Sequence, residues 1–269
     1  MHIFVEFMPF LPYFALLLGL IAGSFLSMLI SRLHTGEKGI FFGRSMCPKC
    51  KHVLSPAELI PLFSYLFLRG KCSSCKKKIS LWYPATEAGT ALLFLLLALS
   101  SDNLYQFLLL APTFLVLSFT FFYDLRYKEI HDAVLLPGIL WAFLAALITG
   151  TTIPAIIGAL IAAGFFALQY FLSGGRWIGS GDIRIGALMG LLLGWEKTLL
   201  ALFLSYLIGS IISLYLLATR KASASTQVPL GPFLVAGTVI AFCLGDKLIN
   251  LYFSVAIGKP TQKIGKLGY

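Results

Sequence analysis

The chain has 269 residues, 58% of them hydrophobic and only 12% charged, with a mean hydropathy of +0.89. Soluble domains carry about 25% charged residues, so this composition excludes an ordinary soluble fold and calls for lipid as solvent. The net charge of +10 does not call for nucleic acid, because membrane chains use cationic loops for orientation and for anionic lipid.

Apolar runs of about 18 or more residues recur, each long enough as a helix to cross about 30 Å of hydrocarbon with its backbone hydrogen bonds made internally. Eight spans are predicted, near residues 9–31, 84–100, 104–123, 133–149, 153–173, 183–195, 198–218 and 230–256. The expected class is an all-α polytopic membrane protein. The first run follows Glu6 rather than a basic region and precedes no convincing cleavage site, so it reads as a mature helix, not a secretory signal.

Between the first two spans lies a polar segment of about fifty residues, from Arg32 to Tyr83. It holds ten of the 21 Lys and Arg residues against two acids, Glu37 and Glu58, which assigns it to the cytoplasm. It also holds Cys47-Pro48-Lys49-Cys50 and Cys72-Ser73-Ser74-Cys75, with 21 residues between the pairs. Two such knuckles put four thiolates around a tetrahedral zinc, whereas the competing reading, disulfides, suits a reducing compartment poorly. Four cysteines complete the shell, so the zinc is expected to be structural, with His52 solvated. The expected organisation is a first transmembrane helix over 1–33, a cytosolic zinc module over 34–83 and a transmembrane catalytic domain over 84–269. Alternation from the basic loop returns the chain to the cytoplasm near 124–131, 174–182 and 219–229. Each return carries Lys or Arg: Arg126 and Lys128, Arg176 and Arg184, Arg220 and Lys221. Only the tail lysines, Lys259, Lys263 and Lys266, fall on the outer side.

Acids bordering apolar helices are costly and therefore candidates for function. Asp124 closes the third span and Asp182 opens the sixth, both at the cytosolic end. Carboxyls 58 positions apart meet only if the fold joins those helix ends. Held together they would share a proton, one activating water while the other polarises a scissile carbonyl. Gly179 and Gly181 flank Asp182 and would let the backbone turn and a substrate strand approach. Asp182 also reads as a plain helix cap, and the residues leave that reading open. Asp132 is expected to cap the fourth span, Glu129 and Asp102 to be loop charges, and Cys243 to pack in the last span.

These motifs resemble the bacterial type IV prepilin peptidases, of the GxGD aspartyl protease class. The resemblance begins at Gly23-Ser24-Phe25-Leu26 and Arg32-Leu33 and continues through both CxxC pairs and Leu68-Arg69-Gly70-Lys71-Cys72. It extends through Tyr83-Pro84-Ala85-Thr86-Glu87, Asp124, Gly179-Ser180-Gly181-Asp182 and Val228-Pro229-Leu230-Gly231-Pro232-Phe233. Three positions depart: His131 stands where the family has proline, Arg184 where it commonly has lysine, and Trp82 where it often has arginine. The resemblance implies cleavage of the basic leader of a prepilin or pseudopilin in the bacterial inner membrane, with Asp124 and Asp182 catalytic. It implies as well methylation of the new amino terminus by S-adenosylmethionine. Glu87, just inside the second span, is the candidate for holding an ammonium group, a buried structural charge being the other reading. An ion- or proton-coupled transporter would also explain paired acids, but not a glycine-flanked acid together with a zinc module.

Overall fold

The computed structural model describes residues 8–36, 44–220 and 228–257. Glu6, Glu37, Lys221 and the tail lysines Lys259, Lys263 and Lys266, on which parts of the predicted topology rest, lie outside the described residues. Among those described the protein is all-helical, with only isolated bridges at Met46–Val53 and Lys71–Lys78 in place of strands. Two compact units divide at Phe107 and Leu108.

The first unit contains α1 (Leu11–Thr35), the one-turn α2 (Phe63–Phe67) and α3 (Trp82–Ser100). Pro12 lies in the first turn of α1, where no intrahelical N–H is required. The helix ends at Gly36, whose φ of 66° allows its N–H to reach the Arg32 carbonyl. α1 and α3 lie against each other through small residues: a Cβ on Gly23 would sit 2.7 Å from the Glu87 Cα. Lipid tails are as apolar as leucine, so close backbone approach rather than hydrophobicity joins such helices.

The second unit contains most of α4 (Leu104–Tyr127), then α5 (Asp132–Ile148), α6 (Thr152–Ser173), α7 (Ser180–Ala218) and α8 (Gly231–Ile257). Six of the helices are long and apolar enough to cross a membrane, and α5 is a shorter apolar helix. Their large apolar residues are widely exposed, Leu160 at 69% and Phe203 at 63%. Lipid is the solvent that suits that surface. Buried hydroxyls instead turn back on their own helix, Ser205 donating to the Ala201 carbonyl at 2.7 Å and Thr238 to that of Leu234 at 2.7 Å.

At 39 residues, α7 would be about 58 Å long if straight, nearly twice the hydrocarbon thickness. It is broken at Gly194, where φ is 70° and ψ 175°. The contacts show that the chain reverses there. Along α6, Gly158 meets Gly190 and Ala162 meets Gly186, an antiparallel register. Beyond the break, Tyr206 bonds Gln169 and faces Phe165, so the second arm runs back along α6. That arm pairs antiparallel with α8, through Lys197–Asp246 at one end and Gly209–Phe233 at the other. Residues 180–193 and 195–218 are thus two segments, and the eight predicted spans have eight counterparts, the sixth and seventh joined by one residue.

The α6–α7 contact has no spare room: a Cβ on Gly190 would overlap the backbone of Gly158 and Ala159, while one on Gly164 would meet nothing. Gly190→Leu should therefore destabilise by about 1–3 kcal/mol or more. Thermal unfolding in detergent should show a clear drop for Gly190→Leu and almost none for Gly164→Leu.

Candidate active site and metal centre

The two CxxC segments adopt one conformation twice, displaced by 25 positions. Cys47 N–H donates to the His52 carbonyl and Cys72 N–H to that of Lys77, both at 2.9 Å. Lys51 and Lys76 N–H return to the carbonyls of Cys47 and Cys72, and those two lysines adopt positive φ, 59° and 57°. Each hairpin thereby presents two thiols on one side. The four sulfurs of Cys47, Cys50, Cys72 and Cys75 lie within 4.8 Å of one another. The Cys47–Cys75 and Cys50–Cys72 separations are 4.0 and 3.9 Å. Tetrahedral zinc with bonds of about 2.3 Å needs sulfurs about 3.8 Å apart, whereas a disulfide needs about 2.05 Å. The thiols therefore fit zinc and not pairwise oxidation. Backbone N–H groups of Cys50 and Lys49 hold the Cys47 thiol down to about 6, whereas Cys75, despite the Lys77 N–H, is pushed up to about 11 by burial and the neighbouring thiols, so the four do not ionise alike.

Glu58, named from sequence only as one of two acids in the basic segment, joins the two knuckles. Its Oε1 accepts from the Ser73 hydroxyl and its Oε2 from Ser55 N–H at 2.8 Å, holding its carboxyl down to about 2. That support is complete above the usual value of 4.5 and is lost as pH falls through about 2. His52 is not merely solvated as expected: its Nε2 lies 3.4 Å from Glu58. Glu87 is buried in α3, where Oε2 accepts from the Leu62 N–H at 2.8 Å and the Ser24 hydroxyl also bonds the carboxyl. Cys243 is half-buried in α8.

In the second unit Asp124 lies in the last turn of α4 and Asp182 in the first turn of α7, only 5% and 6% exposed. Each carboxyl is held through Oδ2 by a backbone N–H at a helix start. Gly231 donates to Asp124 at 2.9 Å and Gly179 to Asp182 at 3.0 Å. Gly181, next to Asp182, packs against Ile130 in the segment that follows Asp124, so the end of α4 and the start of α7 meet there. Asp182 is therefore a cap and a buried acid at once, so the two sequence readings are not exclusive. A Cβ at position 231 would sit 2.5 Å from Asp124 Oδ2, which accounts for glycine between Leu230 and Pro232. Sequence reasoning named Gly231 only within the Val228–Phe233 motif of the resemblance and not as a partner of Asp124.

The flanking glycines act differently from the expected free turning. Gly179 has an extended backbone with φ −81°, open to any residue, and Gly181 is packed against Ile130, where a Cβ would overlap that side chain. Asp132 makes no cap hydrogen bond; His131 is the N-cap residue, and Asp132 pairs with Arg184 at 2.5 Å. With side chains 36% and 46% exposed, the pair is worth at most about 1 kcal/mol. Its consequence is positional, tying the start of α5 to the turn that carries Asp182. His131 lies edge-on to Phe119 and Tyr123, and its buried Nδ1 has no hydrogen-bond partner among the described residues.

Fold and site together define a polytopic helical membrane protein with a four-thiol metal module and two carboxyls buried at helix ends. Residues 17–101 match the model of the Bacterial Peptidase A24 N-terminal domain, and residues 108–214 that of the Type IV leader peptidase family. The chain is 33% identical to a prepilin leader peptidase/N-methyltransferase of Bacillus subtilis (strain 168), over 89% of this chain and 97% of that protein. It is 32% identical to those of Pseudomonas putida, over 87% and 91%, and of Pseudomonas aeruginosa, over 93% and 99%. No solved structure matches. The chain belongs to the type IV leader peptidase family. The two family matches meet where the compact units divide.

Purified protein should contain about one zinc per chain by elemental analysis. Cys72→Ser should lose it, because three thiols cannot close the shell, and removal by a chelator should unfold residues 44–80 first, seen as new proteolytic cleavage there.

Proposed function

We propose that this chain is an intramembrane aspartic endopeptidase that removes the basic leader of type IV prepilins and pseudopilins at the cytosolic face of the bacterial inner membrane. It then methylates the new amino terminus with S-adenosylmethionine. One observation carries the peptidase half: Asp124 and Asp182 are buried at helix ends, each anchored by a glycine N–H, and Gly181 beside Asp182 packs on Ile130 of the segment that follows Asp124. The names of the relatives support both halves.

Two carboxyls in a partly dry site do not both ionise, so the pair carries one proton. The ionised member takes a proton from water as its oxygen attacks the scissile carbonyl, and the protonated member donates to the carbonyl oxygen. Collapse of the tetrahedral adduct returns a proton to the leaving amine and restores the pair. The glycine N–H groups hold both side chains in place during this exchange, an advantage that costs no reorganisation. Gly179, with no crowding side chain beside it, leaves room for a substrate backbone to approach Asp182, whereas Gly181 is taken up by Ile130. The substrate's own apolar helix arrives laterally through lipid, its leader on the cytosolic side with the basic loops. The zinc module is structural. S-adenosylmethionine supplies an electrophilic methyl group to the freed amine, and Glu87 is the acid assigned to its ammonium end.

In a reconstituted assay with purified prepilin, Asp124→Asn and Asp182→Asn should each lower cleavage by about 10²–10⁴-fold or more while remaining inserted. Asp132→Asn should retain much of the rate, since its carboxyl pairs with Arg184. Full activity in either of the first two variants would sink the assignment. Gly231→Ala, which sets a methyl group against Asp124 Oδ2, should lower kcat by at least about tenfold, read against unchanged zinc content. Mass spectrometry of the mature product should show a methylated amino terminus, and an unmodified one would remove the transferase half.

A further inference from the structure

The four-cysteine module carries an apolar surface that faces outward. Phe63, Leu66 and Phe67, at the i, i+3, i+4 spacing of one helix face, cover the outer side of α2, with Leu66 69% and Phe67 84% exposed. Leu59 and Ile60, also exposed, precede them in the chain. Ser64, Tyr65 and Leu68 are half-buried on the other side. A run of large apolar side chains turned outward in this way marks a partner or a membrane.

The depth of this surface is fixed by α3. Its 19 residues make about 28 Å of helix, no more than is needed for about 30 Å of hydrocarbon. Trp82, its first residue, therefore stands at the hydrocarbon edge on the module's side. Glu87 lies about 7 Å further along the axis, and its Oε2 accepts the Leu62 N–H at 2.8 Å. Leu62 sits between Ile60 and Phe63, so the apolar surface lies within the leaflet, at the depth of about 5–10 Å that interfacial helices reach. The backbone there suits that medium. The N–H groups of Phe63, Ser64, Leu66 and Leu68 donate to the carbonyls of Pro61, Ile60, Leu62 and Ser64, and Pro61 has no N–H to satisfy. Beside lipid each unmade bond would be costly.

Uncompensated positive charge follows directly in the chain. Arg69, Lys71 and Lys78 are exposed, and Lys71 and Lys78 face each other in an antiparallel bridge. Like charges so placed repel. Glu58, the one acid between residues 44 and 81, is already engaged by Ser55 and Ser73. Anionic headgroups are the complement to such a cluster at a membrane surface. We infer that residues 59–67 are an interfacial insert resting in the leaflet beside α3, with Arg69, Lys71 and Lys78 among its anionic headgroups. The module is then held to the membrane by the insert as well as by α1 and α3, which keeps it flat against the leaflet. A water-soluble partner would have to reach below the headgroups to cover the same surface. The inference rests on neither reaction of the proposed function.

The test is photocrosslinking of the full-length, zinc-loaded protein in nanodiscs of equal parts phosphatidylcholine and phosphatidylglycerol. The probe is Phe67→p-benzoylphenylalanine, and the same substitution at the exposed Leu160 of α6 is the lipid-facing reference. After irradiation, mass spectrometry should find lipid adducts at position 67 within about threefold of those at position 160. Phosphatidylglycerol should supply at least about two-thirds of the adducts at position 67. Arg69→Gln combined with Lys78→Gln should return that share to about half, with zinc retained. If position 160 takes up lipid and position 67 does not, or if position 67 crosslinks to protein instead, the insert is overturned. Equal shares of the two lipids with Arg69 and Lys78 in place would overturn the headgroup contact. Should the double variant lose its zinc, the shares measured with Arg69 and Lys78 in place decide.

Discussion

Hydrocarbon offers no hydrogen bonds, so a carboxyl near it must find its partners within the protein, and the protein supplies them from helix starts. The first N–H groups of a helix have no carbonyl of their own to bond. Gly231 and Gly179 place such groups on Asp124 and Asp182, satisfying a helix end and a buried acid by one bond each. Nearly everything else in the second unit serves to bring those ends to one place. The reversal at Gly194 folds α7 back on itself, the glycine contacts let α6 lie close to α7, and the Asp132–Arg184 pair ties the first turn of α5 to the first turn of α7.

The first unit meets the opposite problem. Its module is too small and too polar to fold on apolar burial, and the exposed Leu66 and Phe67 show how little of it is enclosed. Metal coordination supplies what burial does not, with the two hairpins prearranging the thiols and Glu58 joining them. Glu87 of α3, a buried acid, also joins the module to the membrane helices by accepting the Leu62 N–H. Module and helix pair thus form one connected structure.

Much of this was legible beforehand because it depends on composition and local spacing. Apolar run length marks a span without knowledge of its neighbours, which is why even the two arms of α7 were separable in sequence. A CxxC pair fixes two thiols within one hairpin, so the metal site was readable from its cysteines. What escaped was set by partners remote in sequence. Asp132 looked like a cap and is an ion-pair partner for a residue 52 positions away. His52 looked solvated and contacts Glu58. Gly181 looked like a hinge, and it is small because Ile130 occupies the space beside it.

Sequence alone determined the solvent, the order of the apolar segments, the thiol cluster and the two acids worth watching, since hydropathy and short-range spacing act within a helix or a turn. Only the tertiary structure decided that the turn beside Asp182 packs on the segment after Asp124, that Gly231 from a third helix anchors Asp124, and that Glu87 accepts the Leu62 N–H. Those outcomes depend on which helix faces allow close approach, a matter of steric fit between segments that no single run of residues contains.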